Sequence, residues 1–112
     1  MLQSQIDRMA VAIVYRTQSA ELLEALNAAG IPVTIVDASG GFLEEAMVTL
    51  VAGMPHQRLP LFFSLLRKHC PVRTRYVTIG IELTDEYPLT PIEVRVGGAT
   101  VFIVPVEEFL QL

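Results

Sequence analysis

Met9-Ala-Val-Ala-Ile-Val-Tyr15 is a continuous apolar run of seven residues. It is too short for a helix and has the right length and composition for a central strand buried on both faces. Taken as the first strand, it sets how the flanking segments are read. Downstream, Ser19 is placed to cap a helix, and Glu21 suits the positive end of its dipole. Leu22, Leu26 and Ala29 recur at helical spacing, and Gly30 can close the helix in a left-handed conformation. Ile31 to Asp37 alternates Ile31, Val33 and Ile35 against Pro32 and Thr34, which predicts a second strand with its proline near the start, where a missing donor is tolerated. Ala38-Ser-Gly-Gly-Phe42 breaks that pattern, and Met47-Val-Thr-Leu-Val-Ala-Gly53 reads as a third strand returning beside the second.

From Gln57 to His69 the positions Leu59, Phe62, Phe63, Leu65 and Leu66 form one broad helical face, with Pro60 acceptable only near the first turn. Arg67, Lys68 and His69 oppose the negative C-terminal end of that helix, and Pro71 stops it. Arg73 to Ile81 alternates as a fourth strand. The order β-α-β-β-α-β predicts an α+β, ferredoxin-like domain, an antiparallel sheet with two helices on one face. After an acidic, proline-containing loop from Glu82 to Pro91, Ile92 to Val96 and Thr100 to Val104 flank Gly97-Gly98-Ala99, a turn that favours positive φ. This predicts an added C-terminal β-hairpin, followed by a tail from Val106 to Leu112. No linker or repeat divides the chain, so residues 1–112 are read as a single domain.

Composition narrows the functional classes. Hydrophobic residues make up 52% of the 112 residues, yet no stretch approaches the roughly 20 apolar residues needed for a membrane span. That much apolar surface favours burial between identical subunits. The net charge of −4, with only eight Lys plus Arg, offers a nucleic-acid backbone no basic patch. One cysteine, Cys70, cannot form an internal disulfide, and no basic segment precedes an apolar signal core, so the expected compartment is the cytoplasm.

Gly97-Gly-Ala-Thr-Val-Phe-Ile-Val-Pro-Val106, preceded by Tyr87-Pro88 and Pro91-Ile-Glu-Val, closely resembles the C-terminal signature of the bacterial cyclic di-AMP receptor family of PII-like proteins. Ser39-Gly-Gly-Phe-Leu43, between the second and third strands, resembles the nucleotide loop of the same family. The resemblance covers Met9 to Leu112. It implies a PII-like, non-enzymatic signalling protein that assembles as a homotrimer and binds cyclic di-AMP or another adenine nucleotide in clefts between subunits. It also implies an unidentified downstream protein partner. By position, Thr34, Ser39, Gly40, Gly41, Phe42 and Leu43 match residues that line the cleft, and Gly53 and Gln111 match positions that approach it. Pro32, Glu44 and Met47 stand where the family usually carries other residues. They motivate a second reading, a trimeric interaction scaffold that has lost nucleotide binding.

The residues carry their own alternatives. Ser39-Gly40-Gly41 suits either an anion-binding nest or a plain tight turn, and Phe42 either a base-stacking platform or an interface plug. Gly97-Gly98 lies between two strands, which favours turn chemistry over phosphate binding. Arg73 and Arg75 share one side of a strand, as solvated charges or as reaching donors. His56 and His69 fall on different faces, Cys70 has no dyad partner other than adjacent His69, and the pairs Glu44-Glu45 and Glu107-Glu108 diverge as sequence neighbours. These patterns predict neither a metal site nor a catalytic constellation.

Overall fold

The apolar run at Met9 becomes the inner strand that its composition calls for. In the computed structural model, which describes residues 5–36, 47–78 and 91–112, it forms β1 (Arg8–Tyr15), hydrogen-bonded antiparallel to a neighbour on each edge. The other elements, in chain order, are α1 (Arg16–Ala28), β2 (Val33–Val36), β3 (Met47–Met54), α2 (Leu59–His69), β4 (Val72–Thr78), β5 (Pro91–Gly97) and β6 (Ala99–Pro105). A four-stranded sheet runs in the order β2-β3-β1-β6, and β4 and β5 form a separate two-stranded sheet. The domain is therefore mixed α+β, with antiparallel sheets and two helices among the described residues.

Helix boundaries follow local chemistry with one departure. The chain passes from β1 into α1 without a loop, so Tyr15 occupies the N-cap with no side-chain cap. Ser19, expected as the cap, lies inside the helix, where its Oγ donates to the Arg16 carbonyl at 2.7 Å. At the other end Gly30 adopts φ +75°, as predicted. The Gly30 N–H reaches the Asn27 carbonyl and the Ile31 N–H reaches the Leu26 carbonyl, the paired bonds of a Schellman motif. That motif turns Ile31 into the core at 2% exposure and delays β2 to Val33, two residues later than the alternation predicts. A 3-10 turn at His56–Arg58 leads into α2, which tolerates Pro60 because it sits in the first turn.

Strand register divides the large sheet into two faces. Ala10, Ala12 and Val14 of β1 pair with Ala52, Leu50 and Val48 of β3, and all six are buried. They join Leu22 and Leu26 of α1 and Phe62 and Leu66 of α2 in one core cluster. The helices thus cover this face, and its alanines leave room for them to approach. The opposite face carries Met9, Val11 and Ile13 of β1, Val51 of β3, and Phe102 and Val104 of β6. No helix covers it among the described residues, and Phe102 remains 56% exposed.

The expected C-terminal hairpin does not form between β5 and β6. Gly97 and Gly98 do take positive φ, +89° and +85°, but they redirect the chain from one sheet to the other. β5 pairs with β4, while β6 pairs with β1 and takes the edge position that the ferredoxin-like order would give to β4. Composition explains the exchange. Val101 and Ile103 of β6 pack against the core, whereas Arg73 and Thr74 of β4 are exposed and Val72 is 60% exposed. The arginine-bearing strand cannot line an apolar core without burying charge. Separation of the β4–β5 ribbon from the body accompanies a radius of gyration of 18.4 Å, against roughly 13 Å for a compact domain of about this size.

Asp7 clips three segments together just before β1. Its N–H donates to the Met54 carbonyl, its own carbonyl accepts from the Val106 N–H at 3.0 Å, and its carboxylate accepts from the His56 backbone N–H at 2.8 Å. The other carboxylate oxygen lies 2.8 Å from His56 Nδ1.

Four substitutions test this architecture. Leu50→Ala, which empties space beneath both helices, is expected to lower unfolding free energy by about 2–5 kcal/mol in urea. Gly97→Ala should cost at least about 2 kcal/mol, because positive φ is unfavourable for alanine and the added Cβ would lie 2.3 Å from the Pro71 carbonyl oxygen. Gly98→Ala should cost less, since its nearest obstacle, at 2.9 Å, is a methyl of the Val72 side chain. The hydrogen bond from His56 holds the Asp7 carboxyl below its ordinary value of 3.8. A depressed folded value means the pair stabilises the fold above pH 3.8 and loses that contribution as pH falls through the folded value. In His56→Ala the Asp7 titration, followed by carboxyl NMR, should move back up towards 3.8.

Candidate functional site

The uncovered sheet face and the C-terminal tail enclose a cavity of about 650 Å3. Its floor comes from β1, β2 and β3 through Met9, Thr34, Val51 and Gly53. Register brings these together, because Thr34 pairs with Val51, Val51 with Val11, and Gly53 with Met9. Its outer wall is the tail, with Val106, Glu108, Phe109, Leu110 and Gln111. The bond from the Val106 N–H to the Asp7 carbonyl fixes where that wall begins. Gly53 suits the floor because an added Cβ would come within 3.1 Å of the Ile6 side chain, another lining residue.

Three of the predicted site residues, Thr34, Gly53 and Gln111, therefore meet in one cavity although they lie on two strands and the tail. Ser39, Gly40, Gly41, Phe42 and Leu43 lie outside the described residues, as do Glu44 and Glu45. Pro32 also lines the cavity, whereas Met47 begins β3 at the opposite end of the strand from Gly53. The sequence reading missed the tail wall, Glu108 and Phe109 above all. Their spacing matches neither strand nor helix periodicity, and only their nearness to Gln111 could have pointed to them.

Chemically, the cavity offers apolar surface from Met9, Val51, Phe109 and Leu110 and three polar groups: the Thr34 hydroxyl, the Gln111 amide and the Glu108 carboxylate. That combination can hold a flat heterocycle, with apolar walls against its faces and polar atoms at its edge. No Lys or Arg is among the described lining residues.

Two other cavities flank the junction with the ribbon. One, about 520 Å3, brings Tyr15, Gln18, Glu21, His69 and Arg73 together, with His69 Nδ1 3.9 Å from Glu21 Oε2. Gln18 there donates through Nε2 to the Pro71 carbonyl at 3.1 Å, which fixes α1 to the start of the ribbon. Arg73 thus lines a different cavity from the one shared by Thr34 and Gln111. The other, about 480 Å3, is lined by Phe63, Leu66, Cys70, Val72 and Val101. Burial pushes the Cys70 thiol above its ordinary value of 9.0, so it stays protonated and is a poor nucleophile at neutral pH. His56 is engaged with Asp7 and His69 approaches Glu21, so the two histidines serve separate contacts.

Comparison with known proteins places this geometry in context. The chain is similar to a protein of unknown function from Pediococcus pentosaceus ATCC 25745, solved by crystallography, with 26% identity and a TM-score of 0.72. The similarity covers 97% of this chain and 100% of that one. No helix among the described residues is long and apolar enough to cross a membrane. The model of the cyclic-di-AMP receptor family matches residues 7–112, which takes in the six strands and two helices among the described residues and the tail wall of the cavity, and the chain belongs to that family.

Proposed function

We propose that this chain is a non-enzymatic, PII-like signal-transduction subunit that forms a homotrimer in the cytoplasm and binds cyclic di-AMP, or a closely related adenine nucleotide, in clefts between subunits. The observation that carries the reading is the convergence of Thr34, Gly53 and Gln111 on one cavity beside an apolar sheet face that no helix covers among the described residues. Membership of the cyclic-di-AMP receptor family supplies the ligand class. A flat base fits the apolar walls of the cavity, and a second subunit fits the uncovered face.

Support for assembly comes from what that face exposes. Val11, Phe102 and Val104 point away from the helices, and in a lone subunit Phe102 and Val104 remain 56% and 39% exposed. Apolar area is worth about 25 cal/mol per Å2 when removed from water, so pairing such faces between subunits is strongly favourable. In a ring of three copies the β2 edge, which lines each cavity through Val33 and Thr34, would lie beside a neighbour. The ferredoxin-like scheme then applies with β6, not β4, at the sheet edge.

The open sheet face and the cavity beside it suit a relay that passes a ligand signal to another protein. Ligand bound between the sheet and the tail would change the surface that the tail presents, and the altered surface would be read by another protein. Light scattering of the purified chain should report a particle about three times the 12.4 kDa subunit mass. Cyclic di-AMP at about 100 times its dissociation constant should stabilise the fold by about 2.7 kcal/mol and raise the unfolding midpoint by roughly 10 °C. A trimer with no shift from cyclic di-AMP, AMP, ADP or ATP would leave only the scaffold reading.

A further inference from the structure

We infer that Glu108 is a specificity-determining residue of the cavity, selecting an uncharged, N–H-bearing ring and keeping phosphate out. The inference rests on the nucleotide-binding reading and adds to it which part of the ligand enters. Glu108 is the acidic residue among the described lining residues, and no Lys or Arg lines the cavity beside it. A phosphate placed there would meet a carboxylate with no cation among the described lining residues to offset the repulsion. An exocyclic amine or ring N–H meets the opposite situation, because an ionised carboxylate is a strong hydrogen-bond acceptor. Met9, Val51 and Phe109 supply apolar surface for the faces of the ring, and Thr34 and Gln111 supply further polar contacts at its edge. The base of the nucleotide therefore occupies the cavity, and its phosphates lie outside, away from Glu108.

The sequence neighbour provides an internal control. Glu107 has the same charge and is also exposed, but it is not part of the cavity lining. Any effect of overall charge on an anionic ligand would appear in both residues, whereas a contact with the bound ring would appear in Glu108 alone.

The test is calorimetric titration of the full chain with cyclic di-AMP, comparing wild type with Glu108→Gln, Glu108→Ala and Glu107→Gln. Circular dichroism and light scattering would establish that each variant retains fold and assembly. Loss of a charge-assisted hydrogen bond should weaken binding about tenfold in Glu108→Ala and less in Glu108→Gln, which keeps a neutral acceptor. Glu107→Gln should bind as wild type does. If the Glu108 variants bind equally well or more tightly, phosphate or another anion occupies the cavity; the inference is then overturned, while the nucleotide-binding reading stands. An equal effect from Glu107→Gln would reduce Glu108 to background charge and overturn it as well. If wild type binds no adenine nucleotide, the functional reading fails and this inference fails with it.

Discussion

β1 is hydrogen-bonded along both edges, to β3 on one side and β6 on the other, and the remaining elements are arranged around that requirement. Each edge of a strand as apolar as Met9 to Tyr15 carries backbone donors and acceptors that cannot be left unpaired in a dry environment. β3 occupies one edge. The other needs a strand whose inward side chains are also apolar, and Val101 and Ile103 of β6 meet that condition where arginine-bearing β4 does not. With β6 committed to β1, β5 pairs with β4 rather than with the outer edge of β6. The positive φ angles at Gly97 and Gly98 let consecutive strands part company within a single intervening residue.

The same constraint leaves one sheet face open. Both helices stack on the side of Ala10, Ala12 and Val14, so among the described residues only the tail, at one end, covers the side of Met9, Val11 and Ile13. The tail is held there through Asp7, which joins the end of β3, the 3-10 turn before α2 and the start of the tail by hydrogen bonds. A cavity bounded by a rigid sheet and a segment anchored at one end can change shape when filled without disturbing the core. That property suits a receptor, whose ligand must alter the surface more than the fold.

The local elements were largely legible. Every strand and both helices expected from periodicity occur among the described residues, and Gly30 and Pro60 act as their side chains and backbones require. Ser19 misled because its hydroxyl serves equally well as a cap or as a donor to a carbonyl three residues back; the direct run from β1 into α1 selected the second. Gly97-Gly98 misled in a similar way. The conformational freedom was read correctly, but the same angles serve a hairpin or a change of sheet, and the choice depends on strands distant in sequence. At the site, Thr34, Gly53 and Gln111 could be named from a family pattern, while Glu108 and Phe109 could not, because their place depends on how the tail folds back.

What the sequence by itself determined is the set of elements and which side of each is apolar, since these follow from short-range properties: spacing, branched side chains, glycine and proline. Only the tertiary structure decided which strand lies beside β1, that β4 and β5 stand apart, and that Thr34 and Gln111 share a cavity with Glu108. Those outcomes are competitions between alternative long-range pairings, settled by how much apolar surface each buries and how much charge each leaves in water. Such a balance belongs to the folded chain as a whole and to no one segment of it.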